Sequence, residues 1–150
     1  MTRAAAPPGL DPAALQRWWD GELGDDPATA LTGPLTASLI AGGKSNLTYR
    51  VGDGARTWVL RRPPLGHVLA TAHDMAREHR VISALAPTAV PVPATHALCE
   101  DADVLGAPFY VMADVPGTPY RTAAQLAPLG AERTRTLAGA MVDILARLHQ

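Results

Sequence analysis

Residues 42–51 read Gly-Gly-Lys-Ser-Asn-Leu-Thr-Tyr-Arg-Val. Adjacent glycines allow backbone N–H groups to approach an anion closely, and the lysine adds a positive charge. The first half of this stretch therefore has the composition of a phosphate-binding loop. The second half decides which kind of fold would carry such a loop.

Two types of phosphate loop differ in the segment that comes after the lysine. In a Walker A loop, the pattern is Gly, any four residues and then Gly-Lys-Ser/Thr, and the Lys-Ser/Thr pair begins a helix. When this pattern is aligned on Gly43-Lys44-Ser45, its first glycine falls on Ser38, so the pattern is incomplete. Here Leu47, Tyr49 and Val51 alternate with polar residues, which is the period of a β-strand. The stretch therefore predicts a loop between two antiparallel strands, and a P-loop nucleotide hydrolase is the less favoured alternative.

Similar local patterns extend along the chain. The Gly52-Asp53-Gly54 segment predicts a turn, and the apolar run 108–112 predicts a well-buried strand. Strands are predicted at 35–41, 47–52, 56–62, 94–100 and 108–112. Helices are predicted from Pro12 onward, at 71–86 and from 131 to the last residue. A turn is predicted at 100–103. We therefore predict an α+β fold with a five-stranded antiparallel sheet and one packed helix. Its parts are an N-terminal extension (1–34), a central lobe (35–117) and a linker with a further helix (118–150).

Both terminal helices carry apolar residues at helical spacing. Leu15, Trp18, Trp19 and Leu23 share one side of the first helix, and we expect them to dock onto the main domain rather than bind a ligand. A second set lies on the last helix and comprises Leu137, Met141, Ile144, Leu145 and Leu148. Because little of the remaining chain is left to cover this second stripe, we expect a truncated polypeptide. A natural C-terminal helix is the alternative.

The composition restricts the class of protein. The formal net charge is -1, so the overall balance does not indicate nucleic acid or an anionic membrane as a partner. No apolar run approaches the ~18 residues that span a bilayer. Cys99 is the one cysteine, so no internal disulfide can form, and a reducing cytoplasm is the expected compartment.

One carboxylate on the central helix lies among apolar neighbours. Met75, Glu78, Ile82 and Leu85 share a helical face, and a carboxylate there is costly unless a cation meets it. The preceding strand supplies two candidates on opposite faces, Arg61 and Arg62, and of these we predict an Arg61–Glu78 ion pair. The alternative is a solvated Glu78 that meets Arg77 or His79.

The four histidines from 67 to 96 do not have the spacing of metal ligands. His73 and His79 are six residues apart, whereas helical ligand pairs usually stand at i and i+4. We therefore interpret His67, His73, His79 and His96 as surface or core histidines.

Five segments carry a resemblance when they are taken in chain order: 42–49, 59–64, 77–82, 108–112 and 145–149. Together they resemble the N-terminal lobe of the aminoglycoside phosphotransferase and choline kinase-like family, which has a protein-kinase-like fold. The resemblance covers about 35–150, and the chain is most similar to the bacterial branch related to domains fused to some acyl-CoA dehydrogenases. It implies an ATP-binding N-lobe at 35–117 and, at 118–150, a linker and the first helix of a truncated C-lobe.

The resemblance implies a nucleotide site. The loop would comprise Gly42, Gly43, Lys44, Ser45 and Asn46, and would lie over the ATP phosphates. Arg61 would replace the more common lysine and pair with Glu78. Val59 and Met112 would line the adenine pocket, and the backbone of Ala113 and Val115 would bind the adenine edge. Arg is a wider, planar donor than Lys, so its reach would differ.

The resemblance also implies what this chain lacks. Family members carry a catalytic loop with His, Asp and Asn and a metal-binding Asp, and no segment here matches them. The chain therefore resembles the nucleotide-binding lobe of an ATP- and Mg²⁺-dependent enzyme that phosphorylates a small-molecule hydroxyl, with no catalytic residue and no metal ligand of its own. A non-catalytic pseudokinase or nucleotide-binding module is the alternative.

Overall fold

The computed structural model describes residues 6–40, 45–66 and 73–150. Its elements in chain order are α1 (Pro12–Glu22), β1 (Thr36–Leu39), β2 (Leu47–Gly52), β3 (Thr57–Arg62), α2 (Met75–Leu85), β4 (Thr95–Cys99), α3 (Ala102–Leu105), β5 (Phe109–Ala113), α4 (Ala123–Leu126), a 3₁₀ turn (Ala127–Leu129) and α5 (Gly130–Leu148).

The five strands form one antiparallel sheet in the order β1-β2-β3-β5-β4. The register aligns Tyr49 with Leu60 and Leu60 with Val111, so these buried apolar residues form a row across β2, β3 and β5. This confirms the predicted α+β fold with a five-stranded antiparallel sheet. Because β2 begins at Leu47, the segment after Ser45 is not the helix that a Walker A loop requires.

The alternation of strand side chains gives the sheet two different faces. One face carries Tyr49, Val51, Leu60, Phe109 and Val111, which belong to the hydrophobic core. Residues 10–35 cover this face with the buried core residues Leu10, Leu15, Trp19, Leu23 and Leu35. The opposite face is therefore left for α2 and for the polar residues of the strands.

The N-terminal helix is fixed to the sheet by its tryptophans. Asp11 caps α1 by accepting the N–H groups of Ala13 and Ala14, and Pro12 follows in the first turn. Trp19 is fully buried and stacks edge-on against Trp58, with ring centroids 5.0 Å apart. Trp18 meets Phe109 in the same manner at 4.8 Å. The expected docking of the tryptophan pair is thus confirmed.

Polar contacts join the same extension to the strands. The Tyr49 hydroxyl donates to the carbonyl of Pro8 at 2.6 Å. Arg62 is buried at the end of β3 and donates to the carbonyls of Gly9 and Leu105. The described residues of the extension therefore share one core with the sheet.

Some boundaries differ from the predicted ones. A short helix, α3, replaces the turn predicted at 100–103, because Asp101 caps it and Gly106 ends it with a φ of 86°. The central helix begins at Met75 after its cap Asp74, and residues 71 and 72 lie outside the described residues. Residue 41, where the first strand was predicted to end, also lies outside them.

The helix α5 exposes its apolar stripe. None of its 19 residues is buried, and the exposed fraction of Met141 is 72%. The residues that the structure describes therefore leave this stripe open. Neither α5 nor another helix in the described ranges is long and apolar enough to cross a membrane.

Asp53 lies in the turn between β2 and β3, and its hydrogen bonds make the stability of the fold depend on pH. Its carboxylate accepts the N–H and hydroxyl of Thr32 and the N–H groups of Ala55 and Arg56. These bonds, led by the Thr32 N–H, hold the pKa of Asp53 well below its usual value near 4. The resulting stabilisation is present above pH ~4 and is lost as the pH falls below that value.

Asp53→Asn should lower the melting temperature by several degrees at pH 7, because an amide nitrogen cannot accept two of these four bonds. Thermal melts from pH 7 to pH 2.5 would also show a smaller loss of stability on acidification than in the unchanged protein. Equal acid sensitivity in both proteins would contradict the role of Asp53.

Candidate functional site

Polar side chains collect on the sheet face opposite α1. Thr48 and Arg50 of β2, Arg61 of β3 and Tyr110 of β5 alternate out of the hydrophobic core and share this face. The helix α2 packs beside β5 and β4 on the same face. The strand order therefore places a group of polar residues from three adjacent strands against one helix.

The predicted ion pair lies at the centre of this group. Arg61 Nε donates to Glu78 Oε2 at 2.8 Å. Glu78 lies in the first turn of α2, where the helix dipole favours a carboxylate, and the Asp74 cap fixes where that turn begins. About one third of each side chain is exposed, 31% for Arg61 and 33% for Glu78. The predicted pair is confirmed, and it is accessible from outside.

Two further donors hold Glu78. Asn46 Nδ2 donates to Oε1 at 2.8 Å, and the Tyr110 hydroxyl donates to Oε2 at 3.1 Å. Burial, with a smaller effect of the Glu78 charge, raises the pKa of Tyr110, so its hydroxyl keeps its proton at neutral pH. Sequence reasoning did not assign Tyr110 to the site, and its place two residues before Met112 on an apolar strand gives no signal for such a role.

Arg61 uses only part of its guanidinium for these contacts. In addition to the Nε bond, Nη1 donates to Thr48 Oγ1 at 3.2 Å. Among the described residues, Nη2 has no hydrogen-bond partner. The planar fork therefore binds two neighbours and leaves one terminal nitrogen for an external anion.

A groove of about 580 Å³ lies beside this cluster. The predicted adenine-site residues Val59, Met112, Ala113 and Val115 line it together with Ile40. A second, more apolar groove of about 450 Å³ is lined by Arg61, Glu78, Val81, Ile82, Tyr110 and Met112. Because both grooves include Met112 and Pro93, they adjoin, and the structure brings the predicted pocket next to the ion pair.

The backbone hydrogen bonds at the end of β5 limit which groups could bind the adenine edge. The N–H of Ala113 donates to the carbonyl of Ala94 at 2.8 Å. Of the two backbone groups of Ala113, only its carbonyl is therefore a candidate for the adenine edge. The N–H of Val115 has no partner among the described residues, and this residue is 63% exposed.

Of the five residues predicted to form the phosphate loop, the structure describes two. Gly42, Gly43 and Lys44 lie outside the described residues. Ser45 is exposed, whereas only 6% of Asn46 is exposed. The Asn46 amide is occupied by Glu78 and by His73, whose Nδ1 lies 2.6 Å from Asn46 Oδ1. Asn46 therefore does not present a free side chain to a phosphate.

A second ion pair borders the larger groove. Arg50 Nε donates to Asp114 Oδ2 at 2.7 Å, and the Thr57 hydroxyl donates to the same oxygen at 2.9 Å. The bond from Arg50 is the main cause that lowers the pKa of Asp114. Because Arg50 and Asp114 are 64 residues apart, no local sequence signal predicts this pair.

The histidines occupy separate positions. His73 contacts Asn46, and the His79 ring meets Tyr110 edge-on at 5.9 Å. Burial lowers the pKa of His96, and His67 lies outside the described residues. In the part of the chain that the structure describes, no three His, Cys, Asp or Glu side chains converge as potential metal ligands.

Comparison with known proteins gives a family match. A sequence model described as "Phosphotransferase enzyme family" (APH) matches residues 36–150. A crystal structure of a candidate aminoglycoside phosphotransferase from Ralstonia eutropha JMP134 has a similar fold, with a TM-score of 0.58 and 35% sequence identity. The match covers 74% of this chain and 30% of that chain.

Curated relatives carry a different kind of name. The chain is 39% identical over 136 residues to mouse acyl-CoA dehydrogenase family member 10, and 41% identical over 117 residues to human acyl-CoA dehydrogenase family member 11. It is 38% identical over 117 residues to the probable acyl-CoA dehydrogenase IBR3 of Arabidopsis thaliana. These matches cover 75–91% of this chain but only 12–15% of those proteins.

Proposed function

This chain belongs to the APH phosphotransferase enzyme family, and from that premise we propose that it forms the ATP-binding lobe of an enzyme that phosphorylates a hydroxyl of a small molecule. The observation that carries the proposal is the accessible Arg61–Glu78 pair beside the groove at Val59 and Met112. The relatives' dehydrogenase names are not carried over to this chain, because the matched part is only 12–15% of each of those proteins.

In this proposal the adenine ring enters the larger groove. Val59 and Met112 supply apolar surface to the ring faces, and the Ala113 carbonyl and Val115 N–H offer one acceptor and one donor to its edge. The spacing of two residues places these two backbone groups on the same side of an extended segment. The end of β5 and the residues just after it therefore have the chemistry to bind a flat heterocycle.

The phosphates would extend toward Arg61. Its Nη2 is the nitrogen without a partner among the described residues, so it can donate to a phosphate oxygen while Nε stays on Glu78. The Glu78 carboxylate holds the guanidinium in place without binding the nucleotide itself. Phosphoryl transfer depends on positioning and on electrostatic stabilisation of the phosphates, and a fixed guanidinium contributes to both. Gly42, Gly43, Lys44 and Ser45 are proposed to cover the phosphates from the other side.

Magnesium has no proposed ligand in this chain. No three His, Cys, Asp or Glu side chains of the described residues converge, and the family resemblance assigns the metal ligands and the catalytic loop to a different lobe. Bound Mg²⁺ would neutralise charge on the ATP phosphates. The acceptor is proposed only as a small molecule with a hydroxyl, because fold does not determine substrate.

A non-catalytic nucleotide-binding module is the second candidate. It is favoured by Arg61 itself, which the family resemblance places where a lysine is more common and which already binds Thr48 as well as Glu78. In such a module the same groove would bind a nucleotide without turnover. Measured phosphate transfer by the intact protein to any hydroxyl compound would exclude it.

A binding experiment tests the nucleotide site directly. The 150-residue chain is expected to bind ATP in isothermal titration calorimetry, and Arg61→Ala should weaken that binding about tenfold or more, because a charge-assisted contact is lost. The chain alone is expected to show no ATP turnover with Mg²⁺ and candidate acceptors. Magnesium-dependent turnover by this chain would contradict the assignment, as would the absence of any nucleotide binding.

A further inference from the structure

The buried amide of Asn46 connects two ionisable side chains. It stands one residue before β2, between Glu78 on α2 and His73, which lies just before that helix. The distances are 2.8 Å from Nδ2 to Glu78 Oε1 and 2.6 Å from Oδ1 to His73 Nδ1. Only 6% of the residue is exposed, so water cannot easily replace either partner.

The charge of Glu78 determines how this chain of bonds is oriented. An ionised carboxylate can only accept, so the amide must present its NH₂ group to Glu78. The carbonyl oxygen of Asn46 then faces His73 and needs a donor there. His73 must therefore carry a proton on Nδ1, which leaves Nε2 as the acceptor nitrogen of the neutral ring.

We propose that Asn46 is a positioning residue for the Arg61–Glu78 pair and that His73 fixes the orientation of its amide. This inference rests on the proposed function of the pair as the phosphate-binding group. It concerns the side chain of Asn46, both ends of which are already occupied, and the place of this residue in a loop over the phosphates stays a prediction.

The three donors of Glu78 come from three separate segments of the chain. Asn46 precedes β2, Arg61 belongs to β3 and Tyr110 belongs to β5. Asn46 is the one that holds Oε1, whereas Arg61 and Tyr110 both bind Oε2. Without Asn46, no described donor holds Oε1, so the carboxylate can turn about its terminal bond and only the two bonds to Oε2 keep it beside Arg61.

The tautomer of His73 tests the chain of bonds without any nucleotide. The protein, labelled with ¹⁵N at histidine, is studied by NMR at pH 8, and the His73 signal is assigned with a His73→Gln variant. We expect the Nδ1–H tautomer in the unchanged protein. We expect Glu78→Gln to allow a mixture of tautomers, because a neutral amide can donate or accept. An Nε2–H tautomer in the unchanged protein would overturn the proposal.

Kinetics in the intact protein test the positioning role. Asn46→Ala should lower kcat/KM for ATP by about tenfold, the usual loss for a bond to a charged group, and leave the KM of the acceptor within about twofold. Asn46→Asp should be at least as harmful as Asn46→Ala, because it keeps the shape but sets a second carboxylate against Glu78. A space-filling role predicts the opposite order, so a mild Asn46→Asp would overturn the proposal.

Ser83→Ala is the matched control. It removes another side-chain contact between α2 and the sheet, the 2.7 Å bond from Ser83 to Thr95, without touching Glu78. It should change kcat/KM for ATP by less than about twofold, since the single neutral bond that is lost includes neither Arg61 nor Glu78.

The NMR experiment and the ATP-binding experiment separate the two hypotheses. The expected tautomer without ATP binding would refute the proposed function alone, and ATP binding with the reverse tautomer would refute only the role of Asn46.

Discussion

In the enzyme of which this chain is proposed to form the ATP-binding lobe, Arg61→Ala is expected to lower kcat/KM for ATP about 100-fold, which corresponds to about 2.7 kcal/mol of transition-state stabilisation. The reason is that Nη2 would be the preorganised donor to the phosphates, and the Nε bond to Glu78 and the Nη1 bond to Thr48 hold it in one direction. Steady-state kinetics with ATP as the varied substrate measure this loss.

Two variants sharpen that result. Glu78→Gln keeps the shape of the side chain but removes the charge that holds Arg61, so a loss of at least tenfold is expected, about 1.4 kcal/mol or more. Arg80→Ala removes an exposed arginine from α2, and it should have little effect because no contact within the described ranges ties Arg80 to the pair. Unchanged kinetics in both Arg61→Ala and Glu78→Gln would refute the role of the ion pair.

Trp19→Ala is expected to destabilise the chain by about 3–5 kcal/mol, the usual cost of deleting a large buried ring. Trp19 is fully buried, contacts Trp58 edge-on and donates from Nε1 to the carbonyl of Thr29 at 2.8 Å. Because typical domains have only about 5–15 kcal/mol of stability, a large part of the folding free energy would be lost. Urea unfolding followed by far-UV circular dichroism measures the change.

Two variants in α1 serve as controls for Trp19→Ala. Trp19→Phe keeps an aromatic ring and loses the N–H bond, so its cost should be smaller than that of alanine. Gly21→Ala adds a methyl group with no atom within 4 Å and should stabilise the helix by about 0.5–1 kcal/mol. If Trp19→Ala unfolds at the same urea concentration as the unchanged chain, the extension is not part of the folding core.

Much of the fold follows from local patterns. Alternation in residues 47–51 and the continuous apolar run 108–112 predict β2 and β5, because strand periodicity depends on neighbours in sequence. The Arg61–Glu78 pair was predictable as well, since one buried-face carboxylate on a helix requires a cation and the preceding strand offers one. The use of this pair in nucleotide binding stays a prediction.

Other features depend on contacts that no local pattern encodes. Asn46 was predicted only as part of the loop over the phosphates, and no local pattern indicates that its amide contacts Glu78, 32 residues away, and His73. Tyr110 was predicted only as part of a buried strand, although its hydroxyl reaches the same carboxylate. The short helix α3 was missed because four residues are too few to show a helical period.

The packing of the extension on the sheet has a spectroscopic consequence. The chain has three tryptophans, and Trp18, Trp19 and Trp58 all lie where the extension meets the sheet. The grooves and the Arg61–Glu78 pair lie on the other face and contain no indole among their described lining residues. Intrinsic fluorescence of this chain therefore reports whether the extension is packed on the sheet. A change in emission on adding a nucleotide would show that binding on one face of the sheet alters the packing on the other face.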